Sequence, residues 1–163
     1  MLSRHCLRQH TCILQVELHR NAKHGIIPMT RNDETESPTP KPVRWIASSR
    51  RDMQRMPKPV RIAFGAALFD AQTGDINPAA KPLRGFTGAG VVEIVDNYEG
   101  NAYRAVYTVR FRDFVFVLHV FQKKSKSGRA TPVADIEKIK VRLKQAEAKY
   151  EEWLAQQERS EEE

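Results

Sequence analysis

The run Phe114-Val115-Phe116-Val117-Leu118-His119-Val120-Phe121 limits what this chain can fold into more than any other feature. It is nearly unbroken apolar sequence, β-branched and aromatic, and far too short to cross a bilayer as a helix. Such a run reads as a strand covered on both faces and placed inside a sheet. Two further strand candidates lie just upstream. Gly90 to Asp96 is followed by the turn Asn97-Tyr98-Glu99-Gly100-Asn101, then Ala102 to Phe111, then the turn Arg112-Asp113 into Phe114–Gln122. Short connections between such runs predict an antiparallel meander. The second strand alternates, with Tyr103, Ala105, Tyr107 and Val109 on one side and Arg104, Val106, Thr108 and Arg110 on the other. One face can then be core while the other presents cations.

Helices flank these strands. Val43, Trp45 and Ala47 alternate as a short strand, after which Ser48 or Ser49 is placed to cap a helix. The segment to Gly74 reads as two helical pieces split at Met56-Pro57, because proline removes a donor and suits a first helical turn. In the second piece Val60, Phe64, Ala67 and Leu68 make one apolar stripe, and Gly74 is the expected C-cap. The pair reads as a helical hairpin. Residues 75–90, rich in Pro and Gly, read as a loop. Thr131-Pro132 supplies an N-cap and a first-turn proline for a last helix. Its Ile136, Ile139, Leu143, Ala146, Tyr150 and Trp153 fall on one face. The fold class is α+β: an N-terminal helical hairpin packed on a small antiparallel sheet, followed by a long C-terminal amphipathic helix.

With 163 residues and 40% hydrophobic side chains, the chain supports one modest core. The expected divisions are a poorly ordered leader and linker over 1–42, a folded domain over 43–155, and an acidic, fraying tail over 156–163. The net charge of +7 is unevenly spread: residues 41–130 carry sixteen Lys/Arg against seven Asp/Glu. A compact basic unit of this kind favours polyanions, namely RNA, DNA or an acidic protein, over a merely soluble cationic surface. The two cysteines, Cys6 and Cys12, both fall in the leader, so no disulfide framework holds the body, which suits a reducing cytoplasm. His5, Cys6, His10, Cys12, His19 and His24 lack the paired short spacing of a zinc site, so no metal is expected. Arg4 and Arg8 are followed by no apolar stretch that would make a secretory signal.

The residues that can carry chemistry are cations. Lys81 and Arg84 precede the first strand, Arg104 lies on the second, Lys123 and Lys124 close the third, and Lys126 and Arg129 follow in a glycine-containing loop. Cations on a sheet face and its rim can bind successive phosphates without reading sequence. In an antiparallel meander the Lys123-Lys124 end lies nearer Arg104 than the loop holding Lys81, so spacing alone does not close one patch. His119, inside an apolar strand, reads as a satisfied core histidine, and Tyr107 as packed. Glu93 reads first as a strand salt-bridge partner that can also orient an arginine. No acid–base residue is secured by the sequence.

Four strings carry a family resemblance: Lys81-Pro82-Leu83 with Gly85; Val92-Glu93-Ile94; Tyr103-Arg104-x-x-Tyr107; and Leu118-His119-x-Phe121-x-Lys123-Lys124 with a later Thr131-Pro132. Together with the Pro-split helices and their Leu68-Phe69-x-x-Gln72-x-Gly74 ending, they make residues 43–150 resemble the phage-derived HigB-like branch of the RelE/ParE toxin superfamily. The resemblance implies the toxin of a type II toxin–antitoxin pair, many of which cut mRNA on the translating ribosome without metal or cofactor. It implies a cytoplasmic protein with mRNA and ribosome as targets, no membrane association, and a helix-turn-helix antitoxin as partner. By motif, Arg104, Lys123 and Lys81 would be catalytic, with Arg104 stabilising the phosphate. Arg84, Lys124, Lys126 and Arg129 would bind RNA. Where many family toxins carry a tyrosine or histidine near the end of the sheet, this chain has Ser125, Lys126, Ser127 and Gly128. Two other functions stay open: a ParE-like inhibitor of DNA gyrase, and an inactive prophage-derived nucleic-acid-binding protein.

Overall fold

The computed structural model describes residues 39–123 and 130–161. The order of elements is β1 (Val43–Trp45), α1 (Ser49–Gln54), α2 (Lys58–Thr73), β2 (Ala80–Pro82), β3 (Val91–Tyr98), β4 (Asn101–Thr108), β5 (Val115–Lys123) and α3 (Val133–Glu161). Five strands form one sheet in the order β1-β5-β4-β3-β2. The predicted meander is β3-β4-β5, antiparallel throughout, with β4 in the middle. Two edge strands complete it, one where the alternation of Val43 and Trp45 predicts a short strand and one in the segment read as loop. β1 pairs with β5 in parallel, Val43 beside Val115 and Trp45 beside Val117, so the sheet is mixed. β2 arises inside the segment read as loop and pairs antiparallel with β3. Its Lys81 supplies extended backbone opposite Glu93 even though Pro82 cannot donate to the ladder, a position proline tolerates on an edge.

The apolar run behaves as its composition demands. β5 has a neighbour on either side, and Val115 to Val120 are all buried. Its alternation is broken once. Val106 pairs with His119 but Tyr107 pairs with Val117, so Leu118 is an extra residue on β5. A bulge of this kind shifts the phase of a strand. Leu118 packs in the core layer beneath α3, and His119 reaches an α3 carboxylate on the same side.

Two apolar layers sandwich the sheet. On one face Val60, Phe64, Ala67, Leu68 and Ala71 of α2 meet Ile94, Ala105, Tyr107 and Val117. This is the stripe read from the sequence, and the helix ends at Gly74 in the left-handed conformation (φ +89°) that glycine accepts without strain. Pro57 starts α2 with φ −52° and ψ 146°, which sets the break from α1. α1 lies against β5, while α2 lies against β3 and β5, so both short helices rest on strands. Ser48 stands at the N-cap of α1, but its hydroxyl bonds the Asp52 carboxylate (2.6 Å) rather than capping the backbone. On the other face Ile139, Leu143 and Ala146 of α3 pack on Val106, Phe116 and Leu118, with Ile136, Tyr150 and Trp153 partly buried around them. α3 runs on to Glu161, through the stretch read as a fraying tail. Among the described residues no helix is long and apolar enough to cross a membrane.

Candidate functional site

The face of β4 expected to present cations is covered. α3 lies across it, and Arg104 is 4% exposed. A buried guanidinium persists only where its charge is met and its donors are bonded. Here Glu93, itself 6% exposed, supplies the charge: Arg104 Nη1 donates to Glu93 Oε2 and, at 3.1 Å, to Thr131 Oγ1. The strand register makes this contact. Arg104 lies opposite Val95, so Glu93 is its diagonal neighbour on the same face. Thr131 Oγ1 donates in turn to Glu93 Oε2 at 3.3 Å. The hydroxyl expected to cap α3 is thereby spent on the ion pair, and the Pro132 carbonyl accepts the first backbone bonds of the helix, from Asp135 and Ile136.

The second oxygen of Glu93 has a different partner. Lys81, directly across the β2–β3 ladder, brings Nζ to 3.7 Å from Oε1 while remaining exposed. Glu93, Lys81, Arg84 and Thr131 line a cleft of about 420 Å³ between the β2 edge, the loop after it and the start of α3. Arg104 and Lys81 therefore each hold one oxygen of the Glu93 carboxylate, and Arg84 adds a further cation to the cleft lining. Such a cleft keeps a surplus of positive charge in a half-desolvated place, where attraction for an anion is stronger than in open water.

The structure thus brings together Lys81, Arg84 and Arg104 of the predicted site, with Glu93 as the link. It corrects the picture of Arg104 as a cation open to solvent: its guanidinium is turned inward onto Glu93 and Thr131. Lys123 is 8% exposed at the end of β5, opposite Ala102, and does not line the cleft. Lys124, Lys126 and Arg129 lie outside the described residues, as do the leader and its His5, Cys6, His10, Cys12, His19 and His24.

The two aromatic acid–base candidates are both packed, in line with the sequence. Tyr107 is 2% exposed, and burial, with Asp70 adding to it, pushes its phenol up to about 12. His119 is buried between two partners. Its Nε2 lies 3.0 Å from Asp135 Oδ1 and its Nδ1 2.9 Å from Arg142 Nη1, which fits a neutral ring donating to the carboxylate and accepting from the guanidinium. Burial pushes the imidazole below its ordinary value; Asp135 pulls the other way and Arg142 reinforces the lowering. Arg142 also donates to the Leu118 carbonyl (2.9 Å) and the Ser48 hydroxyl (2.8 Å), tying α3 to β5 and to the start of α1. This clamp escaped the sequence reading. Its one signal was a cation immediately beside Leu143 on the apolar seam of α3.

The class these features define is a small α+β protein with a mixed five-stranded sheet and an anion-attracting cleft at one sheet edge. The chain belongs to the phage-derived Gp49-like protein family, whose profile matches residues 51–144. No curated protein matches it. Among solved structures it is similar to a chain of the toxin–antitoxin complex RelBE2 from Mycobacterium tuberculosis, at 25% identity and a TM-score of 0.36. That match covers 52% of this chain and 99% of the other.

Proposed function

We propose that this protein is the toxin of a type II toxin–antitoxin pair, of the HigB-like kind, and that it cuts mRNA on the ribosome in the cytoplasm without metal. The single observation behind this is the Glu93 carboxylate, held by Arg104 on one oxygen and facing Lys81 and a cationic cleft with the other. Family membership and the sequence strings around Lys81, Glu93, Arg104 and His119 support it.

The reaction is attack of a ribose 2′-hydroxyl on the adjacent phosphorus, with loss of the 5′-oxygen of the next nucleotide. It needs a proton acceptor, cations for the charge that builds on the phosphorane, and a donor for the leaving oxygen. Lys81 and Arg84 hold the phosphate. Glu93 Oε1 takes the 2′-hydroxyl proton as the P–O2′ bond forms, and the Lys81 ammonium gives a proton to the departing 5′-oxygen as the P–O5′ bond breaks, leaving a 2′,3′-cyclic phosphate and a 5′-hydroxyl. Arg104 is a positioning residue that fixes the Glu93 carboxylate through its other oxygen. Lys124, Lys126 and Arg129 would extend the RNA contact along the backbone. A neighbouring antitoxin, a helix-turn-helix protein, would mask the basic cleft.

The test is controlled induction in cells with mapping of transcript 5′ ends. New ends within translated regions, absent for Lys81→Ala, are expected. Intact transcripts with arrested growth would overturn the nuclease assignment. The burial of Arg104 favours one competing function, binding without cleavage as in a gyrase inhibitor, and trapped cleaved DNA with an SOS response would establish that one instead.

A further inference from the structure

A helix resting on a sheet needs one apolar seam, and α2 carries two. Val60, Phe64, Ala67 and Ala71 make the seam that meets the core. Helical spacing puts Lys58, Ile62, Ala66, Phe69 and Thr73 in a second line, on the side turned away from it. In that line Ile62 is 63% and Phe69 56% exposed, and Ala66 between them is exposed too, beside Gly65. A single exposed apolar side chain is ordinary, whereas two large ones aligned along a helix make a stripe. The ends of the stripe carry opposite charge. Lys58 is exposed in the first turn of α2. At the other end Asp75, also exposed, follows the Gly74 cap and accepts a hydrogen bond from the Thr73 hydroxyl at 3.2 Å. Among the described residues neither Lys58 nor Asp75 enters an ion pair.

We infer that this stripe is a self-association surface, on which a second copy of the chain lays its own α2 antiparallel about a two-fold axis near Gly65 and Ala66. In that register Ile62 of each copy packs on Phe69 of the other, and Lys58 of each meets Asp75 of the other. The order of the charges selects the occupant. A face that runs from a cation to an anion is complementary to itself reversed, while a parallel copy would set like charges together. A wholly acidic or wholly basic partner would satisfy one end only. Because both copies use the same patch, the assembly closes at two. The 16 residues of α2 make the stripe about 24 Å long. One helix face of that length stays below the about 1,200 Å² of a standard interface, so the dimer is weak and reversible, with Kd on the order of tens of micromolar. The inference is independent of the cleavage assignment. α2 covers the sheet face opposite α3, and the start of α3 lines the Glu93 cleft, so pairing through α2 does not occupy the cleft.

The test is analytical ultracentrifugation of the full chain from about 1 to 300 µM, a range that brackets a weak interface. A reducing agent keeps Cys6 and Cys12 from linking copies. A reversible monomer–dimer equilibrium is expected. Phe69→Glu drives a charge into the apolar contact and should weaken it at least about thirtyfold, with circular dichroism and melting unchanged because the position is exposed. Lys58→Glu and Asp75→Lys each set like charges together at both ends of the pair, and each should weaken dimerisation about fivefold. The two combined in one chain restore opposite charges and should return the affinity to within about twofold of wild type. A chain that stays monomeric throughout overturns the inference. So does a dimer indifferent to Phe69→Glu, which would place the contact elsewhere. Failure of the charge-swapped double variant to recover would reject the antiparallel register, and the proposal with it.

Discussion

Arg104→Met isolates the contact on which the cleft is built. It removes the guanidinium from a nearly dry position and leaves Glu93, 6% exposed, with the Thr131 hydroxyl and the rim ammonium of Lys81 at 3.7 Å as its partners among the described residues. Breaking a buried pair from one side costs about 3–5 kcal/mol, because the surviving charge is stranded. The remaining partners of Glu93 place this case at the lower end, about 3 kcal/mol. Glu93→Leu takes the carboxylate from Arg104 in turn and should also destabilise the fold. Removing both partners together deletes the charges as well as their attraction, so the double variant should fall short of the summed single costs by about 2 kcal/mol or more. The assay is equilibrium denaturation of the four proteins in urea, with thermal melts as a check. A domain of this size should lose about 4 °C per kcal/mol. Additivity within about 0.5 kcal/mol would refute the pairing.

Three further outcomes follow from other parts of the molecule. Lys81→Ala should change stability by less than about 0.5 kcal/mol, because the Lys81 side chain is 55% exposed and Glu93 keeps Arg104 and Thr131 as partners, yet lower RNA cleavage about a hundredfold; melts and end-mapping together check both halves. Burial lowers the His119 pKa in the folded state, so the unfolded chain takes up that proton first as pH falls. Its contribution is complete above about 6.5 and drains away below it, and His119→Gln should flatten the melting temperature between about pH 7.5 and pH 5.5. Gly90→Ala forces a side chain onto φ +60° and places its Cβ 3.1 Å from the Arg110 backbone nitrogen, so urea denaturation should register a loss of about 1–3 kcal/mol.

What the sequence made legible was local. The α2 stripe, the Pro57 break, the Gly74 cap and the α3 seam repeat at helical spacing within a few residues, and each appears where that spacing puts it. The pairing of β1 with β5 was not legible: the three residues Val43–Trp45 carry no mark of the strand about seventy positions away that they join in parallel. Nor was β2, because a lysine between alanine and proline looks like loop until Glu93 is placed opposite it. The bulge at Leu118 cannot be seen either, since an unbroken apolar run hides a shift of phase. The candidate site suffered from the same non-locality. Alternation along β4 separated Arg104 from Tyr103 and Tyr107 but could not say that α3 covers the arginine side. Lys81, Arg84 and Glu93 become neighbours only through the β2–β3 register. Arg142 works through α3's crossing of β5, which no spacing encodes.

The cleft's chemistry is tested most directly on programmed ribosomes in a purified system. Wild-type protein and Glu93→Gln are compared at equal folded concentration, judged by circular dichroism, with cleavage of the bound mRNA as the readout and ribosome co-sedimentation as the control. Loss of cutting with retained co-sedimentation is the expected result, since the amide keeps the shape of the side chain and cannot accept the 2′-hydroxyl proton. Cutting by Glu93→Gln at the wild-type rate would remove Glu93 from the reaction and the cleft with it.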